Sequence, residues 1–444
     1  MTYPEVLQYL NSLVNYEKDL NYSYQKTIKL ERIRKFLAVL GDPQKSLRVI
    51  HVAGTKGKGS TCALVAYMLR ASGFSVGLYT SPHLHDFRER IRILRPFVYK
   101  AKQTGGDFEG MISKVALAHL VQELRPLINK YNRRSKYGYL SFFEVYTALA
   151  FLYFKRQQID FVILETGMGG RLDATNAADS LVCGITPLSF EHVQKLGNTL
   201  AKIAAEKSGI IKRSGAIVIS AAQVKEASRV IRKRCKKFGA KLYEVGRQIK
   251  YAIPKKGLLI KGLLNDYKNL RLRLLGEHQA ANTALAIGLV EGLSVYGISI
   301  TPQAIRRGLK QAVWPGRCEV VQTGPLVILD GAQNSASAQV LRKAIENNFQ
   351  YRKLILVLGI SSDKDIAGIC QALDPLADEV ILTCAQTSRA TDPVKLAGYF
   401  KRKLHLTSGV KEAKLLARSL AGKKDLILVT GSLFVVGEFR DVKE

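Results

Sequence analysis

The stretch His51-Val52-Ala53-Gly54-Thr55-Lys56-Gly57-Lys58-Gly59-Ser60 is a glycine-rich loop that ends in a lysine and a hydroxyl residue. The apolar run before it, residues 47–52, is typical of a buried strand, and residues 60–72 are typical of a helix. Glycines let consecutive backbone N–H groups turn towards one anion, and a helix start adds positive potential. Lys58 is then placed to reach the outer phosphates of a nucleotide, and the Ser60 hydroxyl to ligate Mg²⁺. An extra glycine between these two residues departs from the ordinary P-loop pattern, so a purely structural turn remains an alternative.

Length and composition indicate a protein outside membranes. The chain of 444 residues is long enough for two to three domains with substantial cores. No apolar run in it approaches the roughly 18 residues of a membrane span. Its first residues also show no basic segment followed by an apolar one. Its six scattered cysteines form no CxxC pair, which is typical of reduced thiols. We therefore expect a cytoplasmic protein without a membrane span or signal peptide.

The charge balance is strongly positive, because 68 Lys and Arg residues face 36 Asp and Glu residues and give a net charge of +32. Such a field attracts polyanions, so nucleic acid has to be weighed as a partner. The basic residues are spread in short clusters, however, without an RGG tract, zinc-finger spacing or an RRM-type aromatic motif. We expect no specific nucleic-acid partner. Most of the basic residues are expected on solvated helix faces, and the excess is explained at least as well by attraction of anionic small substrates or by a cytoplasm that favours basic proteins.

Strand-like apolar runs alternate with helical patterns along most of the chain, which predicts mainly parallel sheets covered by helices. Residues 251–275 are typical of an antiparallel extension. Residues 313–317 (VWPGR) contain the only tryptophan and a Pro-Gly turn, and they indicate a boundary between an α/β domain at 1–312 and a smaller α/β, Rossmann-like domain at 313–444. The predicted strands are 47–52, 75–79, 161–165, 181–185, 216–219, 326–330, 354–358, 379–383 and 426–429, and the predicted helices are 60–72, 142–155, 200–207, 224–238 and 279–296.

A carboxylate, Glu165, ends the predicted strand at residues 161–165. Ligands gather at the carboxyl ends of strands in open α/β sheets, and Mg²⁺ prefers oxygen ligands. Glu165 is therefore a candidate metal ligand, with capping of the following turn as an equal alternative. His192 by itself is typical of a surface or satisfied core histidine. Lys207 by itself fits the preference for cations at a helix C-terminus.

Eight motifs occur in a consistent order: HVAGTKGKGST, TSPHL, ETGMGGRLDATN, LGNTLAKIAAEKSGIIK, GEHQAAN, WPGR, LDGAQN and TGSLFVVGEF. Together they resemble the folylpolyglutamate synthase/dihydrofolate synthase family, a branch of the Mur ligases, from about Leu30 to Gly437. The resemblance implies an N-terminal P-loop ATPase domain that binds ATP and pterin at 1–312. It also implies a C-terminal glutamate ligase domain at 313–444.

The resemblance implies an ATP-dependent ligase that adds L-glutamate to dihydropteroate, to folate (poly)glutamates or to both. In that family the γ-phosphate of ATP passes to the acceptor carboxylate, and the glutamate amine then expels phosphate from the acyl phosphate. Metals and Lys58 neutralise the charge that builds on the transferred group. We accordingly expect ATP, pteroate or folate, and L-glutamate as partners, two Mg²⁺ sites, and a monomer.

The resemblance also implies roles for individual residues. Lys58, His192 and Lys207 are the implied catalytic set, and Lys207 matches a position that is carbamylated in the family. The implied ATP contacts are Gly57, Lys58, Gly59, Ser60, Asn282, Arg317 and Asp330. The implied metal ligands are Ser60, Ser81, Glu165 and His192. The implied pterin pocket is Ser141, Phe142, Phe143, Glu144, Leu172, Asp173 and Ala174, with core packing as an equal alternative for the two phenylalanines.

Four positions depart from the family pattern. Lys56 stands where asparagine is also common, Glu191 replaces Asp, Gln333 replaces His, and Ser335 replaces Pro. Glutamine keeps a donor and an acceptor but does not titrate, so any proton transfer at position 333 is in doubt.

Two other functions remain as alternatives. Another Mur-type amide ligase would use the same ATP chemistry but needs a further domain before the loop, and 53 residues precede Gly54. A basic nucleic-acid-binding P-loop protein is supported by the charge alone.

Overall fold

The computed structural model describes residues 1–17, 22–96, 108–255 and 257–441. The described residues form two compact units. The first unit is drawn from Met1–His83, Phe87–Arg271 and Ala280–Ala312, and the second from Leu84–Asp86, Leu272–Gln279 and Val313–Glu444.

A mainly parallel sheet forms the centre of the first unit. Its strands are β1 (Val49–Ala53), β2 (Val76–Tyr79), β3 (Ile91–Leu94), β4 (Phe161–Glu165), β5 (Ser180–Ile185), β6 (Ile217–Ser220) and β7 (Lys241–Glu244). The seven strands lie in the order β3-β2-β4-β1-β5-β6-β7. Only the β2–β3 pair is antiparallel. Both central strands β1 and β4 are buried along their whole length, as expected where helices cover both faces.

The helices of the first unit pack on the two faces of this sheet. They are α1 (Tyr3–Ser12), α2 (Tyr24–Thr27), α3 (Leu30–Val39), α4 (Lys58–Ala71), α5 (Lys114–Arg134), α6 (Phe142–Arg156), α7 (Val193–Leu196), α8 (Leu200–Lys207), α9 (Lys225–Lys237), α10 (His278–Glu291), whose first two residues belong to the second unit, and α11 (Pro302–Gln311). Val49 of β1 joins a core with α1, α3, α5 and α6, and Ala53 joins one with α8 and α9. On the opposite face Leu289 of α10 packs beside Val52.

A small antiparallel sheet extends the first unit, as the short alternating segments predicted. Its strands are β8 (Lys250–Ala252), β9 (Leu258–Lys261) and β10 (Asp266–Leu270) in the order β10-β9-β8. The Glu291 carboxylate at the end of α10 accepts hydrogen bonds from the Leu263 and Asn265 backbone and from the Tyr267 hydroxyl, which anchors this sheet.

The second unit repeats the α/β plan at smaller size. Its strands are β11 (Glu319–Thr323), β12 (Leu326–Leu329), β13 (Leu354–Leu358), β14 (Glu379–Leu382), β15 (Lys403–Leu406) and β16 (Leu426–Thr430), and its helices are α12 (Ser335–Asn348), α13 (Ile366–Leu373), α14 (Pro393–Ala397), α15 (Val410–Leu420) and α16 (Leu433–Asp441). The six strands lie in the order β11-β12-β16-β13-β14-β15, and only β11 is antiparallel to its neighbour. One apolar core packs α12 and α13 against this sheet and another packs α15 and α16.

The predicted fold class is confirmed, since both units are α/β with mainly parallel sheets. No helix in the described parts of the chain combines the length and apolar character that crossing a bilayer requires.

Candidate active site

The glycine-rich loop begins where β1 ends, and two of its glycines make contacts that a side chain would block. A Cβ on Gly54 would lie 1.7 Å from Oγ1 of Thr186, which follows β5. Gly57 has φ +82°, and a Cβ there would lie 2.3 Å from Oδ1 of Asn282 in α10. These close approaches, which only glycine allows, bring Asn282 and the loop together.

The loop leads into the N-terminus of α4, which begins at Lys58. The first N–H groups of a helix have no acceptor within the helix, so the start of α4 offers donors to an anion. The backbone N–H groups of Thr55 and Lys56 instead donate to the Pro187 carbonyl, at 3.2 and 3.4 Å. The backbone N–H groups of the loop that could face an anion therefore start at Gly57, one turn before the buried Ser60.

Two lysines converge on the end of β1. Lys58 Nζ donates to the Gly54 carbonyl at 3.2 Å, and Lys207 Nζ donates to the same oxygen at 2.7 Å. Lys207 is only 2% exposed. Burial, and next the neighbouring Lys58 ammonium, lower the pKa of Lys207 to about 7. Its amine is therefore about half neutral near neutral pH, whereas an exposed lysine is fully charged.

The loop after β4 explains why Lys207 is buried. A Cβ on Gly170 would lie 2.7 Å from the Lys207 carbonyl oxygen, so this glycine lets the loop touch the last turn of α8. The Arg171 N–H donates to the Glu206 carbonyl at 2.8 Å, and the Arg171 guanidinium pairs with the Glu206 carboxylate at 2.8 Å. The GMGGR part of the motif thus closes over the end of the helix.

A third loop, after β5, supplies negative charge to the lysines. Lys56 Nζ lies 3.1 Å from Glu191 Oε1, so the two departures from the family pattern in this part of the chain pair with each other. Burial raises the pKa of Glu191, but Lys58, Lys56, His192 and Lys207 together hold it below the ordinary value. His192 follows directly, with φ 52°, at the start of α7.

Glu165 and Ser81 meet at the carboxyl ends of β4 and β2. The Ser81 N–H donates to Glu165 Oε2 at 3.2 Å, and Glu165 is buried. In the described parts of the chain, no three His, Cys, Asp or Glu side chains are grouped so that they alone hold a metal. Mg²⁺ is commonly held by one or two carboxylates together with substrate phosphates. The Glu165 carboxylate and the Ser60 and Ser81 hydroxyls fit that kind of site.

The predicted pterin-pocket residues on α6 occupy different environments. Ser141 and Glu144 form a capping box at the helix start, and the Glu144 carboxylate also pairs with the buried Arg32 at 2.8 Å. Phe142 is fully buried in the core. Phe143 is half-buried, and its ring would meet a Cβ on Gly167 at 2.7 Å. Of these four residues, Phe143 lies directly at the strand-end loop.

The other predicted pocket residues lie in the loop after β4. Asp173 is buried and accepts hydrogen bonds from the Gly167 and Met168 N–H groups and from the Thr175 hydroxyl. Burial raises the pKa of Asp173, although these hydrogen bonds act to lower it. Ala174 is buried at the start of the next turn. Leu172 is half-buried beside an apolar cluster with Tyr24, Leu196 and Ile203.

Several residues that support the strand-end loops were not predicted from the sequence. His51 Nε2 lies 2.8 Å from Thr175 Oγ1, and burial lowers the pKa of His51 to about 3, so its ring stays neutral. Thr186, Arg171 and Arg32 were missed as well. Their partners are far away in the sequence, and the hydrophobic pattern carries no signal for them.

Arg317 and Asp330 lie together in the second unit. The Asp330 carboxylate accepts hydrogen bonds from the Cys318 N–H at 2.7 Å and the Ala332 N–H at 2.8 Å. Burial raises the pKa of Asp330, although the positive charge of Arg317 acts to lower it. A Cβ on Gly331 would lie 2.6 Å from the Arg317 guanidinium. Gln333 is half-buried and donates from its backbone to the Ser337 hydroxyl.

Two domain families match this chain and define its class. The Mur ligase middle domain matches residues 130–290, and the Mur ligase glutamate ligase domain matches residues 316–433. The two α/β units and the glycine-rich loop between β1 and α4 agree with this class, the ATP-dependent Mur ligases.

Whole-chain relatives then define the family. A Bacillus subtilis protein named dihydrofolate synthase/folylpolyglutamate synthase is 33% identical over 93% of this chain and 94% of its own length. A Haloferax volcanii protein, named as a probable bifunctional folylpolyglutamate synthase/dihydropteroate synthase, is 37% identical over 96% of this chain, which spans 50% of that protein. The structure of a Yersinia pestis bifunctional folylpolyglutamate synthase/dihydrofolate synthase complexed with AMPPNP and Mn is similar, with a TM-score of 0.81, 30% identity and coverage of 99% of this chain and 97% of that one. The chain belongs to the folylpolyglutamate synthase/dihydrofolate synthase family.

The buried Arg32–Glu144 pair gives a test of what Glu144 does. We expect Glu144→Gln to lower the free energy of unfolding by about 3 kcal/mol, because it leaves the Arg32 charge buried without a counter-charge. Adding Arg32→Met should restore most of the loss, since the unpaired charge is then gone. Thermal and urea unfolding measure both effects. Unchanged stability with a raised KM for a pterin acceptor would instead make Glu144 a ligand contact.

Proposed function

We propose that the chain is a ligase that uses ATP to add L-glutamate to dihydropteroate, to folate (poly)glutamates or to both, through an acyl phosphate. The observation that carries this proposal is the meeting of Lys58 and Lys207 at Gly54, beside the start of α4. The positive charge there attracts an anionic triphosphate, and the carboxylate acceptor is proposed to approach the same strand ends. The name of the Bacillus subtilis relative supports these substrates.

The nucleotide is proposed to lie on the N-terminus of α4. Backbone donors from Gly57 to Ser60 hold its phosphates, and Lys58 stabilises the charge that develops during phosphoryl transfer. Asn282 lies against Gly57 and is proposed to contact the nucleotide. Arg317 and Asp330 are proposed to contribute further contacts from the C-terminal glutamate ligase domain at 313–444, while residues 1–312 form the ATP- and pterin-binding domain.

Two Mg²⁺ sites are proposed, and the Mn in the Yersinia pestis complex supports divalent-metal use. Ser60, Ser81 and Glu165 would hold one ion, and His192 together with a modified Lys207 would hold the other. Bound Mg²⁺ neutralises charge on the phosphates during transfer. Within the chain, Glu191 offsets the charge of the surrounding lysines.

Carbamylation of Lys207 is proposed on chemical grounds. The neutral Nζ attacks the carbon of CO₂, one proton is released, and a carbamate anion results. A pKa of about 7 keeps enough neutral amine for this step, and the Lys58 and Lys56 cations stabilise the product. The modified nitrogen keeps one N–H, which can still donate to the Gly54 carbonyl.

The pterin ring is proposed to contact Phe143 and Leu172, which are both half-buried beside the strand ends. Three features are proposed to support the pocket from behind. They are the helix cap of Ser141 and Glu144, the core residue Phe142, and the loop after β4 with Asp173 and Ala174. We further propose that the enzyme acts as a monomer in the cytoplasm.

The direct test of this function is a turnover assay with each substrate omitted in turn. ADP and phosphate should appear only when Mg²⁺, a pteroate or folate acceptor and glutamate are all present, because the phosphorylated acceptor is consumed by the amine. Lys58→Ala should reduce kcat at least about 100-fold. ATP hydrolysis at the full rate without an acceptor would make the chain a simple NTPase and contradict the proposal.

Glu165→Gln should raise the Mg²⁺ concentration for half-maximal activity about tenfold, because an anionic oxygen ligand becomes a neutral amide. Titration of activity with Mg²⁺ at saturating ATP measures this shift. Glu123→Gln is the control, because Glu123 is half-exposed and pairs with Arg156 on the surface. If the two variants have the same Mg²⁺ curve as the unmodified enzyme, Glu165 is not a metal ligand.

Lys207→Ala should reduce kcat about 100-fold, with partial recovery in formate or acetate, whose carboxylate can occupy the vacated space. At limiting CO₂, activity of the unmodified enzyme should rise as pH increases through about 7, because only the neutral amine reacts. Lys202→Ala, an exposed lysine of the same helix, is the control. Full activity in Lys207→Ala, or equal loss in Lys202→Ala, would exclude the carbamate.

A further inference from the structure

Much of the positive charge of this chain is concentrated in one segment. Residues 225–271 contain 15 Lys and Arg residues against 3 Asp and Glu residues, a net charge of +12. The longer segment 313–444 contains 18 against 14, a net charge of only +4. A general preference of the cytoplasm for basic proteins would spread the excess over both segments. The concentration instead indicates a local surface that attracts an anionic partner.

Helix α9 arranges part of this charge in a straight line along one of its faces. Four exposed cations stand at positions i, i+4, i+7 and i+11 of the helix: Lys225, Arg229, Arg232 and Lys236. These four positions lie within about 60° of one another around the helix axis and extend over about 16 Å. The one acidic residue of α9, Glu226, accepts a hydrogen bond from the Ala201 N–H at 3.1 Å. The four cations therefore form a continuous basic stripe.

A cavity of 630 Å³ opens beside this stripe, at the carboxyl ends of β6 and β7. Lys225, Arg229 and Arg232 line it from α9, and Arg247 lines it from the turn after β7. Glu244 is the one acidic residue among the described residues that line it, and it lies 2.6 Å from Arg232 and 3.6 Å from Arg247. Cations thus outnumber anions on both the helix and the turn, so a narrow anionic chain that enters the cavity is attracted from both.

The opposite face of α9 is already used in packing. Ala227, Ile231 and Cys235 are buried in a core that also contains Val218 of β6. A helix that lies on a membrane surface needs a free apolar face to insert between lipids. A bilayer surface is also flat and does not enter a cavity. The basic stripe and the cavity therefore fit a narrow polyanion better than a lipid surface.

The residues that line the cavity also restrict the type of polyanion. The described lining residues include no aromatic side chain: beside the charged ones they are Ala222, Gln223, Ser228, Val245 and Gly246. Proteins that bind single-stranded nucleic acid typically stack bases on aromatic rings. A duplex keeps its bases stacked inside and carries one phosphate per about 3.4 Å of axis in each strand, so a stripe of about 16 Å spans about five phosphates. A duplex backbone therefore matches a surface that offers cations without aromatic rings.

From these observations we propose that α9 and the cavity form a docking surface for a nucleic-acid duplex, DNA or RNA, bound through its phosphates without regard to base sequence. The basic stripe contacts the phosphates of one strand, and Arg247 contacts them from the other element that lines the cavity. The surface lies wholly in the first unit, at β6 and β7, whereas the glycine-rich loop follows β1. The docking is additional to the proposed ligase activity and does not depend on it.

The test measures binding of the full chain to DNA and RNA duplexes of about 20 base pairs by fluorescence anisotropy over a range of salt concentrations. Replacing Lys225, Arg229 and Lys236 by Gln should raise the Kd at least about 30-fold at low salt, since three phosphate contacts are lost. For DNA, the slope of log Kd against log salt should fall by about 2.7, because each phosphate contact contributes about 0.9. This loss with either duplex supports the docking surface.

The control replaces Lys130, Arg133 and Arg134, which are exposed on α5, by Gln. Helix α5 belongs to the core of β2, β3 and β4 and α9 to the core of β5 and β6, so the two helices lie at different ends of the sheet. The same charge is removed, but Kd should stay within about twofold because salt screens charges beyond about 10 Å. Thermal unfolding should be the same for both variants, since all the replaced side chains are exposed.

Four results would overturn the assignment. Equal losses in the α9 and α5 variants would make the binding a general effect of net charge. Displacement of the duplex by saturating Mg-ADP would place it on the glycine-rich loop. Tighter binding of a single strand of equal length, of long-chain inorganic polyphosphate or of phosphatidylserine vesicles would assign the surface to another partner. Absence of duplex binding at low salt would leave no docking surface. Because the binding assay needs no turnover, its outcome is independent of whether the chain forms an amide.

Discussion

The site depends on one shared acceptor, the Gly54 carbonyl at the end of β1, to which two lysines donate. Placing two ammonium groups on one oxygen is unfavourable unless one of them loses its charge or gains a counter-charge. Burial favours loss of charge at Lys207, because it lowers the pKa of this lysine to about 7. Two glycines allow this close packing around the lysines. Thr186 leaves no room for a side chain at position 54, and the Lys207 backbone leaves none at position 170.

Counter-charge comes from the loop after β5. Glu191 pairs with Lys56 at 3.1 Å and also feels the fields of Lys58, His192 and Lys207, which keep its carboxyl ionised. The loop is fixed to the glycine-rich segment by hydrogen bonds from the Thr55 and Lys56 N–H groups to Pro187. Lys56 and Glu191 both differ from the usual family residues, and their ion pair gives a physical reason for finding them together.

The sequence predicted the central strands well and the sheet edges poorly. Strands β4 and β13 were predicted with their observed bounds, because a strand buried on both faces is a continuous apolar run. The strands β3, β7, β11 and β15 were not predicted, and all four lie at the edges of the two large sheets. Three of them are only partly buried, so their sequences lack that run, and β3 carries the buried Arg92.

The same distinction holds for the candidate site. The positions of Gly57, Lys58, Ser60 and Glu165 followed from a local pattern, since each stands at the end of a strand or the start of a helix. The pairing of Glu144 with Arg32 did not, because these residues are 112 positions apart and the contact depends on tertiary packing. The low pKa of Lys207 likewise follows from its burial beneath the loop after β4, which local sequence does not encode.

The central claim, activation of an acceptor carboxylate by phosphoryl transfer at the Gly54 site, has a direct isotopic test. An acceptor labelled with ¹⁸O in both oxygens of the reacting carboxylate is converted with ATP, Mg²⁺ and glutamate, and the released phosphate is analysed by mass spectrometry. Attack of the amine on an acyl phosphate leaves one carboxylate oxygen in the amide and the other in the phosphate. The account predicts one ¹⁸O atom in each phosphate released. Amide formation with unlabelled phosphate would contradict it.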